Sequence, residues 1–140
     1  MNMDNLARCG ISLDRDLLAK FDSLINERNY GNRSEAVRDL IRQELVRKQW
    51  AENKEVAGAV TLIFGHHKRE LLNTITDIQH DFQKEIVCSQ HVHLDHHNCL
   101  EIIAVKGAPR KVQELADKLR SIRGIKHGTL SMTSTGRDLD

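Results

Sequence analysis

RCGISL, at residues 8–13, alternates between two kinds of side chain. Positions 9, 11 and 13 are apolar, whereas the positions between them carry Arg8, Gly10 and Ser12. Successive side chains of an extended strand point to opposite faces, so one face of this segment is apolar and the other is polar. The alternation predicts a short, half-buried β-strand.

Two helices are predicted directly after this strand. A 3.6-residue apolar pattern over 17–25 predicts the first helix, and residues 29–31 (NYG) interrupt it. The second helix is predicted to begin at Asn32, which stands three residues before Glu35 as in a capping box. Its apolar stripe extends to Leu45. These three elements are too small to enclose a core alone, and units of this size usually need a second copy.

Pairing with a second copy also satisfies the backbone of a lone strand, because two such strands form an antiparallel ribbon. This is the ribbon-helix-helix arrangement, whose ribbon enters the major groove of DNA. An arginine fork suits guanine, a serine hydroxyl suits a base edge or a phosphate, and glycine lets the backbone approach closely. The free N–H groups that open the second helix suit a phosphate. The predicted DNA contacts are Arg8, Gly10, Ser12, Asn32, Arg33 and Ser34.

A second domain with a different pattern follows a polar linker. Strands and helices are predicted in the order β-α-β-β-α-β, at residues 60–64, 67–78, 84–94, 99–106, 109–122 and 125–132. This order is that of the ferredoxin-like fold, in which helices cover one face of the sheet. The predicted class is α+β, with the ribbon-helix-helix domain at 1–50, the linker at 51–56 and the second domain at 57–140.

Composition narrows the class of protein but does not identify a function. The net charge is +1, so overall charge gives no indication of nucleic-acid binding. Apolar runs are too short for a membrane span, and no secretory signal is recognisable. Three cysteines without paired spacing argue against a disulfide framework, which predicts a cytoplasmic protein.

The chemistry of the second domain is concentrated between His80 and Glu101. His91 and His93 lie two residues apart in a strand, so both imidazoles leave the same face, and Cys99 opens the next strand across a turn. His80, at the end of the preceding helix, is predicted to reach the same metal or that of a neighbouring copy. Nitrogen and thiolate donors suit Ni, Cu, Zn or Co, with planar geometry favouring Ni(II) and tetrahedral geometry favouring Zn(II). Glu101 is predicted to accept a hydrogen bond from a ligand histidine.

Other readings of these residues stay open at this point. The histidines alone are also compatible with surface residues, Cys99 with an inert core thiol, and Glu101 with a solvated carboxylate on its strand. A Cys–His catalytic pair lacks an obvious residue to orient the histidine, so no enzyme is predicted. Cys9 is expected on the buried side of the ribbon and Cys88 in the core. The remaining histidines are predicted to be surface residues that add weak metal sites at most: His66, His67, His96, His97 and His127.

Two motifs together resemble a known family. Residues 31–39 (GNRSEAVRD) look like the opening of the second helix in ribbon-helix-helix regulators. Joined to His80, to HVH at 91–93 and to CLEI at 99–102, they are similar to the NikR family of nickel regulators. The resemblance extends from Arg8 to about residue 132.

The resemblance implies a specific assembly and function. The second domain would be an ACT-like nickel-binding and tetramerisation domain in a homotetramer, a dimer of dimers. One square-planar Ni(II) per chain would lie at the tetramer interface, held by His91, His93 and Cys99 of one chain and His80 of another. The loaded tetramer would bind double-stranded operator DNA and repress nickel-uptake genes. Positions Glu35 and Asp39 match a second, hard-cation site such as one for K⁺.

Three rival functions follow from the same features. A regulator of this architecture that senses zinc or cobalt would use the same ligands. An ACT-type regulator of amino-acid metabolism would bind a small molecule, and the histidine–cysteine cluster argues against it. A metal-storage protein or metallochaperone would not need the polar strand face at residues 8–12.

Overall fold

The computed structural model describes residues 5–65 and 67–140. The chain divides into two compact units, Met1–Arg42 and Gln43–Asp140. The combination of helices with an antiparallel sheet confirms the predicted α+β class.

The first unit contains helix α1, Arg15–Glu27, and the beginning of helix α2, Arg33–Ala51. Asp14 caps α1, because its carboxylate accepts a hydrogen bond of 2.8 Å from the backbone N–H of Asp16. After α1 the chain turns at Asn29, whose φ of 58° lies in the left-handed region that asparagine tolerates. The predicted break between the two helices is confirmed.

Helix α2 begins with a modified capping box. The Asn32 side chain accepts a hydrogen bond of 2.9 Å from the N–H of Glu35, as the sequence predicts. The Glu35 carboxylate reaches one residue further back than in the usual box and accepts from the N–H of Gly31 at 2.9 Å. The bond from Glu35 satisfies a backbone donor that the first turn of a helix leaves free, and the bond from Gly31 satisfies a donor just before the helix.

The segment before α1 contains no strand within residues 6–14 of the single chain. Every residue from Arg8 to Leu13 is exposed there, including Cys9 and Ile11. The predicted ribbon pairs the strands of two chains, and a strand without a ladder partner has no regular hydrogen bonds. The ribbon and the burial of Cys9 within it therefore stay predictions.

The second unit follows the predicted β-α-β-β-α-β order. Its elements are β1 Val56–Gly65, α3 Arg69–Asp81, β2 Ile86–His93, β3 Asn98–Gly107, α4 Pro109–Arg120 and β4 Ile125–Met132. The sheet order is β2-β3-β1-β4, and each neighbouring pair is antiparallel. The ferredoxin-like order places β1 and β3 at the centre, with β2 at one edge.

The core lies between one face of the sheet and helices α3 and α4, and it includes Trp50 at the end of α2. Alternate residues of β1 and β3 are buried, among them Leu62, Phe64 and Ile103. Pro109 opens α4 at its first turn, where its missing N–H costs no hydrogen bond. The predicted apolar stripe of α4 is buried, with Leu115 and Leu119 fully inaccessible. No helix in the described parts of the chain is long and apolar enough to cross a bilayer.

The structure departs from the sequence prediction at several element ends and at one cysteine. Strand β1 begins at Val56, inside the predicted linker, because the small residues that follow pair with β3 although they lack a strong apolar signal. Helix α3 begins at Arg69, two residues later than predicted. The prediction of Cys88 as a core thiol is wrong, since Cys88 is exposed on the edge strand β2. A break in register between Ile86 and Cys88 disrupts the alternation on which that prediction depended.

Candidate metal centre

The β2–β3 hairpin brings the predicted donors together. In its register, His93 lies opposite Cys99 and His91 lies opposite Glu101. Cys99 and Glu101 belong to the buried, helix-covered face of β3, so the facing histidines share that face. The sheet geometry therefore collects two imidazoles, a thiol and a carboxylate at one end of the hairpin.

Three of these groups are spaced as metal donors. The ligand atoms of His91, His93 and Cys99 all lie within 4.8 Å of one another. The Sγ of Cys99 is 3.5 Å from the Nδ1 of His93, and the two imidazole rings have centroids 5.0 Å apart. Cys99 is fully buried, whereas both histidines are exposed. An ion would reach the cluster from the histidine side and meet the sulfur at its base.

Burial controls the protonation of the thiol. Its removal from solvent raises the pKa of Cys99, and the carboxylates of Asp95 and Glu101 raise it further. The metal-free site therefore holds a thiol at neutral pH, and a metal must displace its proton to gain the thiolate. A borderline cation with affinity for sulfur fits this cluster, whereas Mg²⁺ or Ca²⁺ would find too few oxygen ligands.

Glu101 orients one of the imidazoles. Its Oε2 lies 2.8 Å from Nδ1 of His91, and Glu101 itself is 8% exposed. When the Nδ1–H donates to this carboxylate, Nε2 is the nitrogen left for a metal. The amide of Gln79 on α3 also donates to Oε1 of Glu101, at 3.4 Å. Sequence analysis missed Gln79, because no local spacing connects a helix residue with a strand residue this far along the chain.

His80 does not join the cluster within the single chain. It is exposed near the end of α3, directly after Gln79, and its ring nitrogens contact the side-chain amide of Gln83, the nearer at 2.7 Å. Among the described residues, the group that can hold a metal consists of His91, His93 and Cys99 without His80. This leaves open the sequence-based alternative in which His80 serves the metal of a neighbouring copy.

The other histidines lie near the hairpin turn or on the sheet edge. His67, His96, His97 and His127 are exposed, as predicted, and His66 lies outside the described residues. The rings of His67 and His97 have centroids 6.0 Å apart. His67 Nε2 lies 3.2 Å from the carbonyl oxygen of His96.

The hairpin turn is fixed by one carboxylate. Asp95 accepts hydrogen bonds from the N–H groups of His97 at 2.7 Å and Asn98 at 2.8 Å. These bonds, first that of His97 and then those of Asn98, lower the pKa of Asp95 to about 2. Asp95 thus sets the turn that brings His93 opposite Cys99.

The hydrogen bonds of Asp95 predict a pH-dependent contribution to the stability of the metal-free protein. Because its folded pKa lies below the ordinary value of 3.8, the contribution is complete above about pH 4 and is lost as the pH falls towards 2. We expect Asp95→Ala to lower the urea midpoint at pH 7, with the difference from wild type narrowing below pH 4. Asp77→Ala, at an exposed position of α3, is the control, and a difference independent of pH would refute this assignment.

The predicted DNA-contacting residues are accessible in the first unit. Arg8, Gly10 and Ser12 are exposed, and the space around Gly10 is open. Arg33 is already engaged, because its guanidinium forms a two-pronged ion pair with Asp22 at 2.8 and 2.9 Å. That pair lowers the pKa of Asp22. A phosphate contact by Arg33 would have to share or replace this partner.

Glu35 and Asp39, the predicted hard-cation residues, each have a partner near their own helix. Glu35 accepts from the N–H of Gly31, and Asp39 accepts a short hydrogen bond from the hydroxyl of Tyr30. The contact with Asp39 raises the pKa of Tyr30. Neither carboxylate belongs to a cluster of three potential ligands among the described residues.

Comparison with known proteins identifies the family. The family model of the NikR C terminal nickel binding domain matches residues 57–133, and that of the ribbon-helix-helix protein, copG family, matches residues 7–48. The chain belongs to the NikR family of nickel-responsive regulators. Members of this family are transcription regulators, and the two matches confirm the predicted combination of a ribbon-helix-helix region with a nickel-binding domain.

Relatives in several organisms match this NikR-family chain along nearly its whole length. Proteins named "putative nickel-responsive regulator" are 56% identical in Syntrophus aciditrophicus and 58% identical in Chlorobium phaeobacteroides. These alignments cover 96% and 94% of this chain, and 98% of each relative. The relative of the same name from Pyrococcus furiosus is 49% identical over 96% of this chain and 98% of its own.

A solved structure adds a likeness in fold. An uncharacterised protein from Thermotoga maritima superposes with a TM-score of 0.50 at 13% identity, over 55% of this chain and 95% of that one. The likeness concerns the arrangement of helices and strands, and at this identity it carries no information on function.

Proposed function

We propose that this chain is a nickel-dependent repressor that holds one Ni(II) per chain through His91, His93, Cys99 and the His80 of a neighbouring chain. The observation that carries the proposal is the convergence of two imidazoles on a buried thiol within 4.8 Å. Bound nickel would supply a cross-link between chains, because its fourth ligand comes from another copy. This last step accords with the exposure of His80 and its separation from the other three donors.

The proposed site needs a second chain, and we propose that a cytoplasmic homotetramer, a dimer of dimers, provides it. Each dimer would pair two 8–13 segments into a ribbon whose exposed face carries Arg8, Gly10 and Ser12. The opening of α2 at residues 32–34 would position the ribbon on the phosphate backbone of operator DNA. The genes controlled would be those of nickel uptake, whose repression limits intake once the metal is abundant.

Nickel would act by shifting a population of arrangements. Without it, the DNA-binding dimers of the tetramer sample many orientations. Ordering the metal-binding centre favours the arrangements that span two half-sites, with a coupling free energy typically about 1–3 kcal/mol per linked site. Once one dimer is bound, the second contact becomes intramolecular, which adds avidity.

The second, hard-cation site remains a separate proposal. Carboxylates such as those of Glu35 and Asp39 suit K⁺ better than they suit nickel. Each carboxylate already accepts a hydrogen bond, Glu35 from the N–H of Gly31 and Asp39 from the hydroxyl of Tyr30, and the ion would share the carboxylate with that donor.

A second candidate is a regulator of the same architecture that responds to zinc or cobalt. The observation favouring it is that a cluster of two imidazoles and a thiol suits tetrahedral Zn(II) as well as planar Ni(II). Competition between the metals, followed by optical absorption, separates the two. Planar d–d bands that survive equimolar zinc favour nickel, whereas displacement by zinc favours the alternative.

The proposed repressor is tested by selecting DNA from a random duplex library. One selection is carried out with excess nickel and a parallel one with chelator. We expect the nickel selection alone to enrich a sequence with two half-sites. Equal enrichment in both selections, or enrichment of none, would contradict metal-dependent operator binding.

Glu101→Gln is expected to weaken nickel binding by about tenfold, since changes to a hydrogen-bond partner of a ligand typically cost 10–100-fold in metal affinity. The amide keeps the shape of the side chain but loses the charge that favours His91 Nε2 as a donor. Glu70→Gln, exposed on α3, is the control. Competition against a chelator measures the nickel affinities of both variants. Equal affinities would show that Glu101 does not contribute to the metal site.

A further inference from the structure

The C-terminal residues after β4 lie against the last turn of helix α2. The indole N–H of Trp50 donates to the carbonyl of Thr133 at 2.8 Å, and the side-chain amide of Gln49 donates to the carbonyl of Arg137 at 3.0 Å. Trp50 and Gln49 are each 8% exposed. Two adjacent buried side chains of α2 thus bind two carbonyls of the terminal segment.

This segment, residues 133–140, has an ordered conformation of its own. The N–H of Thr133 continues the sheet by donating to the carbonyl of Ala57 at 3.0 Å. The hydroxyl of Ser134 then accepts from the N–H of Gly136 at 3.0 Å, and Gly136 adopts a left-handed φ of 90°. This turn brings the chain back so that the Arg137 carbonyl meets Gln49.

We propose that residues 133–140 form a strap that fixes the end of α2 to the nickel-binding domain and transmits the nickel-dependent ordering to the DNA-binding unit. Helix α2 is continuous from Arg33 to Ala51, so a restraint on its last turn would pass along the same helix towards the predicted phosphate contacts at its beginning. This proposal rests on the proposed nickel-dependent repressor.

The strap is held by few bonds, so its contribution can be removed without unfolding the domain. The Oε1 atom of Gln49 is buried and has no hydrogen-bond partner in the part of the chain that the structure describes. Opening the strap would return this oxygen to water and offset part of the loss of the Gln49–Arg137 bond. None of the strap residues contributes to the buried core, which is built from the sheet, from α3 and α4 and from Trp50.

The strap makes a spectroscopic prediction, because Trp50 is the single tryptophan of the chain. The 140-residue protein is compared with a chain ending at Met132, which lacks the whole strap and with it the carbonyl that accepts from Trp50. In the shortened chain we expect red-shifted tryptophan emission and an increase in acrylamide quenching of at least about twofold. Nickel should still bind at one ion per chain.

Operator binding then tests transmission. On a duplex obtained by the selection described above, the gain in affinity caused by nickel should fall by about tenfold in the shortened chain, within the 5–150-fold typical of coupled sites. Gln49→Leu, which removes the same hydrogen bond without shortening the chain, should reduce the gain in the same direction. Gln113→Leu, at an exposed position of α4, should leave it unchanged.

Each contrary outcome has a distinct meaning. Unchanged quenching in the shortened chain would overturn the contact itself. If quenching increases in the shortened chain but nickel still raises its operator affinity as much as in wild type, the role of the strap in transmission would be overturned. A wild-type protein whose operator affinity ignores nickel would overturn the proposed repressor and the transmission with it, while quenching would still report whether the strap covers Trp50.

Discussion

Cys99→Ala is expected to weaken nickel binding by at least about a hundredfold. A structural metal site with four donors contributes roughly 10–16 kcal/mol, so one donor is worth on the order of 3 kcal/mol if the donors share it equally. Cys99 is the buried donor of the cluster and, once deprotonated, would provide its only anionic ligand. The loss should also remove the thiolate-to-nickel absorption band, measured by titrating the metal-free protein.

The matched control is Cys88→Ala. It makes the same chemical change at an exposed thiol of β2, so nickel affinity and the thiolate band should stay as in wild type. His80→Ala should weaken binding too, and a mixture of His80→Ala with Cys99→Ala chains would test whether the fourth ligand comes from another copy. Nickel binding by Cys99→Ala with an unchanged spectrum would contradict the assigned site.

Arg8→Ala is expected to lower operator affinity by roughly thirtyfold or more without changing nickel binding. A bidentate arginine–guanine contact contributes about 1–3 kcal/mol, and each ribbon would carry two copies of Arg8. The residue is exposed beside Gly10 and Ser12, so removal of its side chain disturbs no core. Fluorescence anisotropy on the selected duplex, with nickel in excess, measures the effect.

Lys20→Ala is the control for Arg8→Ala, because it removes one positive charge from an exposed position of α1. Its effect should be small and similar on operator and random duplexes, as expected for a general electrostatic contribution. Arg8→Ala should instead reduce the preference for the operator over random DNA. An equal loss of affinity for operator and random duplexes would show that Arg8 does not contribute to base recognition.

Local periodicity predicted most of the second domain. The 3.6-residue stripe of α4 and the alternation of β3 each appear in the structure as a buried face, because one side of each element covers the core. The pairing of His93 with Cys99 could also be predicted from the sequence. A short hairpin fixes which residues lie opposite one another, so spacing along the chain becomes proximity in space.

Features that depend on distant parts of the chain, or on another chain, could not be predicted from the sequence. The exposure of Cys88 follows from a break in the β2–β3 register, which no local residue pattern predicts. The contact between Gln79 and Glu101 joins a helix to a strand through tertiary packing alone. Trp50 and Gln49 donate to the backbone carbonyls of Thr133 and Arg137. Because every residue has a carbonyl, the residue types at 133 and 137 do not predict these contacts.

The proposed arrangement of donors would explain how a metal acts as a signal here. Three donors are collected by one hairpin, whereas His80 stands apart on α3. A metal site completed within one chain would stabilise that chain without affecting its association with other chains. A site that takes its fourth donor from another chain, as proposed here, would make nickel binding depend on the assembly and, by linkage, the assembly depend on nickel.

The most direct test of the nickel-dependent repressor is the affinity of the wild-type protein for its selected duplex in nickel and in chelator. The measurement uses one protein preparation at fixed pH and ionic strength, since phosphate contacts make DNA affinity strongly salt-dependent. We expect nickel to tighten binding by at least about tenfold, and Cys99→Ala to lose this gain. Equal affinity in nickel and in chelator would contradict the account.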